Sequence, residues 1–276
     1  MQTEKVRSQL TETHILYSDL LKRDVILDFY LPPGHSSGGD MSMLLINDGQ
    51  DLITMNFENI LAELYRDEII SPLFCIGIHC SADRKNEYGT ARFLDFKGRG
   101  TKALFYHRFI FEELFPFIKN TYSLFSFKEK SFCGFSLGGL NALDIVWNNP
   151  KEFTKAGIFS GSLWWRNVSQ DDPAFDERNH RIMHSQIRNG EYAPWLKFFF
   201  ETGTLDEIAD RNKNGIIDSI DDTLSLIEEL VTKGYDPAAD IRYLEIKDGR
   251  HDVETWGRAF PEFLKWGWGR ISNKNK

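Results

Sequence analysis

KSFCGFSLGGLNALDIVWNN, residues 130–149, decides the fold. The run KSFCGF reads as a short apolar strand, and LGGLNALDIVWNN reads as a helix that follows it without a linker. Between them stands Gly134-Phe135-Ser136-Leu137-Gly138. G-x-S-x-G is a weak signal alone, but the strand–turn–helix setting is what a nucleophile elbow requires. The small residues permit a strained turn that lifts Ser136 Oγ above the sheet. The N–H of Leu137, at the new helix N-terminus, then faces the place where an oxyanion would form.

Outward from this turn the chain alternates. Strands are expected at MLLIN (43–47), LFCIGI (73–78), AGIFSG (156–161), WLKFFFETG (195–203) and IRYLEI (241–246). Helices are expected around 57–66, through FYHRFIFEELFPFI, and near 176–188, 222–233 and 252–268. Short apolar strands separated by helices imply a mostly parallel sheet covered on both faces. HILYSDLL and VILDFYL, either side of KRD, add an N-terminal antiparallel hairpin. With no repeat or long linker, residues 1–276 read as one α/β domain. Residues 162–194 are long enough to form a cap over the active-site edge.

Composition narrows the function. The formal net charge is −8, against non-specific binding of nucleic acid or an anionic membrane. No stretch approaches the roughly 20 apolar residues of a transmembrane helix. The N-terminal MQTEKVRSQLTETH lacks a signal peptide's apolar core, which makes a cytoplasmic location the expectation. Cys75, Cys80 and Cys133 are odd in number and lack metal-ligand spacing, so neither a disulfide framework nor a zinc site is expected.

A serine nucleophile needs a base and an acid. His251, in DGRHDVETW, lies between the last strand and the last helix. His180 and His184, at i and i+4, read as a solvated helix face, and His14, His35, His79 and His107 are less well placed. In α/β-hydrolases the order is Ser, acid, His. Asp206, just after WLKFFFETG, is the first choice of acid, with Glu207 and Asp210 as rivals. Asp48-Gly49-Gln50-Asp51 follows the strand MLLIN, and the N–H of Gln50 is the candidate second oxyanion donor. Its Gly49 is expected to let the backbone close on a ligand.

These segments together resemble the esterase D-like family of α/β-hydrolases, which includes feruloyl, acetyl-xylan and enterochelin esterases and bacterial mycolyltransferases. LLINDGQDL resembles its oxyanion segment, RKNEYG (84–89) its R-x-x-E-Y loop, and CGFSLGGLNAL its elbow. FSGSLWW (159–165) and RHDVETWGRAFPEFLKW resemble its strand-end and histidine segments. The resemblance implies an α/β-hydrolase fold and hydrolysis of a carboxylic ester through an acyl-enzyme, without an organic cofactor. The substrate would be a small-molecule ester, with an acylated sugar or a siderophore-like ester among the candidates. Trp164 and Trp165 would line its pocket or cap the core. Acyl transfer, peptidase action, or a non-catalytic carbohydrate- or calcium-binding module on the same fold are the alternatives.

One segment stands outside that resemblance. Asp210, Asn212, Asn214, Gly215, Ile216, Asp218 and Asp221 match a calcium loop: side-chain oxygens at positions 1, 3, 5, 9 and 12, a carbonyl at 7 and glycine at 6. Asp at position 12, in place of the EF-hand Glu, makes it dockerin-like. Structural Ca²⁺ at 210–221 is the expectation.

Overall fold

The computed structural model describes residues 11–34, 41–123 and 126–270. Thr11–Ser18 (β1) and Arg23–Tyr30 (β2) form the expected antiparallel hairpin. Ser42–Asn47 (β3) and Leu73–Ile78 (β4) pair parallel, and β2 joins the sheet antiparallel to β4. Lys130–Phe135 (β5), Lys155–Phe159 (β6), Lys197–Leu205 (β7) and Ile241–Arg250 (β8) continue it in parallel, giving the order β1-β2-β4-β3-β5-β6-β7-β8. All six residues of β3 and of β4 are buried, whereas β1 alternates between exposed and partly buried. Central parallel strands need helices on both faces, and an antiparallel edge can leave one face in water.

The helices divide accordingly. Phe57–Arg66 (α1) places Phe57, Leu61 and Leu64 on one face of the sheet. The helix Val253–Trp268 joins that layer with Trp256, Phe260, Phe263 and Leu264. The opposite layer holds Arg84–Glu87 (α2), Ala103–Phe109 (α3), Phe115–Tyr122 (α4) and Leu137–Asn148 (α5). Glu177–His180 (α6), Ile182–Asn189 (α7) and Asp218–Lys233 (α8) complete it, leaving Val253–Trp268 as α9. Leu140, Leu143, Ile187, Leu226 and Leu230 are buried within this second layer. The sequence therefore describes an α/β-hydrolase architecture correctly, as a sheet between two helical layers.

Local departures have local causes. The helix through FYHRFIFEELFPFI widens into a π turn at Ile110–Leu114, just before Pro116, whose missing N–H and ring interrupt regular pairing. The helix expected over 176–188 breaks at Arg181 (φ −74°, ψ 109°), whose guanidinium reaches Asp222 and Ser225 on α8. The break removes the solvated His180/His184 face: His184 is fully buried and bonded to the Asp222 carbonyl and Ser225 Oγ. Within 162–194, Leu163, Trp165, Ile182, Met183 and Ile187 enter the core, and α7 packs on α5 and α8. No helix among the described residues is long and apolar enough to cross a membrane.

Candidate active site

Ser136 joins β5 to α5 with φ 54° and ψ −121°, a conformation that an L-residue holds only when its surroundings impose it. The flanking glycines show how. A Cβ on Gly134 would lie 2.4 Å from the Gly138 carbonyl oxygen, and a Cβ on Gly138 would lie 2.5 Å from Asp48 Oδ2. Position 134 is therefore closed by backbone, and a side chain at 138 would have to displace the Asp48 carboxylate. Beneath the turn, Asn47 Nδ2 donates to the Gly138 carbonyl (2.9 Å) and to Asn141 Oδ1 (3.2 Å), while Tyr106 Oη donates to Asn47 Oδ1 (2.6 Å). The Ser136 N–H donates to the Phe159 carbonyl at 2.8 Å, and its Oγ stands 3.4 Å from Ser162 Oγ. Leu137 is the first residue of α5, so its N–H has no earlier carbonyl within the helix to pair with.

The neighbouring turn follows β3. Asp48 is left-handed (φ 59°) and leads into a 3₁₀ turn, Gly49–Leu52, that carries the Gln50 N–H. Gly49 closes on the sheet: a Cβ there would meet the backbone of Gly77 on β4 at 2.4 Å. The Gln50 side chain is anchored on Cys80: its Oε1 accepts from the Cys80 N–H (3.1 Å) and its Nε2 lies 3.3 Å from Sγ. The Asp48 N–H donates to Tyr88 Oη at 3.2 Å. Arg84 grips the Asp48 carboxylate with both arms of its fork, each at 2.7 Å, and donates to the Phe135 carbonyl at 3.1 Å. Its neighbour Glu87 is paired in the same forked way with Arg23.

Asp206 and His251 lie at the ends of adjacent strands, because β7 and β8 end in the pair Leu205–Arg250. Gly203 is wedged between the Gly249 backbone and Asp206 Oδ1, which draws the acid's loop onto the histidine's. Both carboxylate oxygens of Asp206 are buried and have no hydrogen-bond partner among the described residues. Burial raises its pKa, opposed by Ser160, Gly203 and the His251 charge. The His251 residue is exposed at the rim, yet protein crowds the imidazole enough for desolvation to lower its pKa. Asp206 pulls that pKa up and Arg84 pushes it down. The ring meets Trp256 edge-on at 5.4 Å, and no hydrogen bond joins it to Asp206 or Ser136 among the described residues. The structure thus brings Asp206 beside His251 on one side and Ser136 beside the Asp48–Gln50 turn on the other.

The remaining histidines are occupied elsewhere. His79 pairs with Asp28 (2.6 Å), His107 with Asp144 (3.2 Å), His14 with Glu12 (3.4 Å), and His180 Nδ1 accepts from the Asp176 N–H. His35 lies outside the described residues. Of the rival acids, Asp210 is taken up by the N–H groups of Asn214 and Gly215. Glu207 has its pKa raised by burial and by Asp218.

Two groups were missed in the sequence. Glu201 on β7 is almost fully buried, and desolvation together with Asp206 lifts its pKa to about 8. Ser160 Oγ stands 3.5 Å from Glu201 Oε2 and accepts from Trp256 Nε1 at 3.0 Å. Trp256 also stacks on Phe135 at 5.1 Å, so one indole touches the elbow, the histidine and the buried acid's network. No sequence pattern marks an isolated glutamate inside an apolar strand as special.

The tryptophan pair divides. Trp164 is half-buried, with Arg99 5.3 Å from its ring, while Trp165 is fully buried against Gly89 and Gly100. Of the two expectations for Trp165, pocket wall or core, the structure gives the core, because those glycines leave a slot that the indole fills.

In the acidic loop, Asp210 and Asn212 accept from the Asn214 N–H, and Asn214 Oδ1 accepts from the Ile216 N–H. The carboxylate of Asp221 accepts from the side-chain amides of Asn212 (2.9 Å) and Asn214 (3.1 Å). Gly215 has φ +87°. Asp218 accepts from the Arg211 N–H at 2.9 Å and pairs with its guanidinium at 3.3 Å. No cluster of three or more His, Cys, Asp and Glu side chains among the described residues is placed to hold a metal ion.

With this geometry in place, comparison with known proteins is direct. The family model described as Putative esterase matches residues 18–266. The chain belongs to that family. It is 25% identical over 253 residues to the uncharacterized protein YbbA of Bacillus subtilis, covering 87% of this chain and 91% of YbbA. Its fold is similar to the enterobactin esterase FES of Shigella flexneri (TM-score 0.71, 19% identity), covering 93% of this chain but 58% of that one. It is also similar to the siderophore hydrolase EstB of Aspergillus nidulans (TM-score 0.66, 15% identity, 96% and 97% covered). A ferulic acid esterase gives 0.67 at 13% identity, with 94% and 98% covered. At these identities the structural likenesses establish the shared α/β-hydrolase fold, and family membership rests on the 18–266 match.

Proposed function

We propose that the chain is a serine carboxylic ester hydrolase acting through an acyl-enzyme, with Ser136 as nucleophile, His251 as base and Asp206 as acid. The observation that carries this reading is the positive φ of Ser136, between two glycines where a Cβ would meet backbone or the Asp48 carboxylate, beside a second turn of backbone N–H groups. Neutral His251 would take the Ser136 proton as Oγ adds to the ester carbonyl. The N–H groups of Leu137 and Gln50 would receive the oxyanion. Imidazolium would then protonate the leaving alcohol, and water would repeat the cycle on the acyl-enzyme. Asp206 would hold the imidazole and offset its charge. The contacts that complete the triad would tighten with substrate, as catalytic hydrogen bonds often do.

For the substrate we propose a small aromatic or siderophore-like ester, supported by the substrates named for the structurally similar esterases and by the half-buried Trp164 at the strand end after Ser162. The test is a panel of acetyl, butyryl, feruloyl and catecholate esters with amide controls. Ester turnover without amide turnover is expected. A folded protein inert on every ester would favour the non-catalytic module.

Ca²⁺ binding by residues 210–221 is a separate proposal, supported by four Asx side chains (Asp210, Asn212, Asn214, Asp221) in one group and by Gly215 at the turn position. It requires Asp218 to exchange Arg211 for the ion.

A further inference from the structure

We infer that Arg84 is a positioning residue that fixes the distance between the two oxyanion donors. The inference rests on Ser136 being the nucleophile and goes beyond that assignment. One guanidinium spans both halves of the proposed hole. Its Nε and Nη2 hold the two oxygens of Asp48, at 2.7 Å each, and Asp48 stands two residues before Gln50. The same Nη2 donates to the carbonyl of Phe135 at 3.1 Å, and Phe135 stands two residues before Leu137. The donors stand in turns after two neighbouring strands, β3 and β5, which strand pairing and the Asn47–Gly138 hydrogen bond join at their bases. Arg84 adds a charged cross-brace between the turns themselves.

The brace is itself held. Asp48 has a side-chain exposure of 2%, its N–H is bonded to Tyr88 Oη, and Gly138 approaches its Oδ2 too closely for a Cβ. The Tyr88 ring lies 5.1 Å from the guanidinium carbon. A planar fork matches a carboxylate at two points, which an ammonium cannot do. Charge reinforces geometry: without Arg84, the Asp48 carboxylate would be a buried anion beside a developing oxyanion, where like charges repel strongly.

The experiment measures kcat and KM on 4-nitrophenyl acetate, and inhibition by a small alkyl boronic acid that adds to the serine as a tetrahedral anion. The proteins are the full chain, Arg84→Gln, Arg84→Lys, Asp48→Asn/Arg84→Gln and Ser136→Ala, each checked for folding by thermal melting. Losing one oxyanion donor typically costs about 10²–10³ in kcat, and Arg84→Gln should fall in that range with KM within about threefold of wild type. Boronate affinity should weaken by a similar factor. Arg84→Lys should recover less than about a tenth of the lost rate, because charge returns without the fork. If Arg84→Gln does not fold, the neutral double variant carries the test, and it should stay slow because the brace is absent. A folded Arg84→Gln with kcat within about threefold of wild type, or a double variant restored to the wild-type rate, overturns the inference. Ser136→Ala separates the two readings: if it stays active, the nucleophile assignment has failed; if it is inactive while the Arg84 variants are normal, only the brace has.

Discussion

The two halves of the candidate site are built differently. On the nucleophile side every element is locked: Ser136 by two glycines, Asp48 by Arg84 and Tyr88, and Gln50 by Cys80. On the acid–base side, the Asp206 carboxylate oxygens have no hydrogen-bond partner among the described residues, and His251 meets the edge of the Trp256 indole without a hydrogen bond to Asp206 or Ser136 among them. The first half sits where central strands run into tight turns, so burial and backbone pairing determine it. The second sits on loops beyond the two outermost parallel strands, where fewer neighbours constrain a side chain. Under the proposed roles, the half that would stabilise charge is the more heavily bonded before substrate arrives, and the half that would move protons the less.

The sharpest contrast should come from removing one group on each side. Ser136→Ala should lower ester turnover by roughly 10⁴ or more while leaving the melting temperature nearly unchanged. Asp206→Asn should lower kcat by roughly 10²–10⁴, with Glu207→Gln much milder. Reversed effects at 206 and 207 would move the acid one residue along the chain. The pH profile adds a directional check. His251 must be neutral to act, and its pKa lies below the ordinary 6.5, so the acid limb of kcat/KM should fall below that value. Because Asp206 pulls that pKa up, Asp206→Asn should carry the limb to still lower pH.

The same contrast explains what the sequence disclosed. The elbow was legible because G-x-S-x-G reports a backbone constraint, and its setting between β5 and α5 is local. The order of apolar runs likewise announced the sheet. The Arg84–Asp48 pair was not legible in its role, since it joins residues 36 positions apart through the fold. RKNEY carries a family motif but nothing in its local sequence marks Asp48 as its partner. His184 was misplaced, and Trp165 was left between pocket and core, because single-sequence patterns record polarity and spacing, not whether a neighbouring helix or a glycine slot closes over the side chain.

Smaller effects concern stability on the acid–base side. Glu201 holds its proton up to about pH 8, whereas in the unfolded chain it ionises near 4.5. Between those values the folded state binds the extra proton, so stability falls as pH rises. Glu201→Gln should remove that slope, and melting temperatures of the two proteins should diverge in the variant's favour from pH 5 to pH 8. The least effect is expected from metal. An ion that binds only the folded chain adds about 2.7 kcal/mol at a hundredfold excess over Kd. Ca²⁺ should therefore raise the melting temperature of chelator-treated protein, and Asp218→Ala with Asp221→Ala should abolish the rise. Activity should change less than stability. Equilibrium dialysis that finds no bound Ca²⁺ at millimolar concentration would remove the loop from the account.

The central claim is that the locked turn presents a reactive serine oxygen, and covalent labelling tests it most directly. A fluorophosphonate incubated with the full chain should attach at one site, located by peptide mass spectrometry to Ser136 and absent from Ser136→Ala. Labelling should also extinguish ester turnover in proportion to occupancy. A label found on another residue, or full esterase activity surviving complete modification of Ser136, would contradict the assignment.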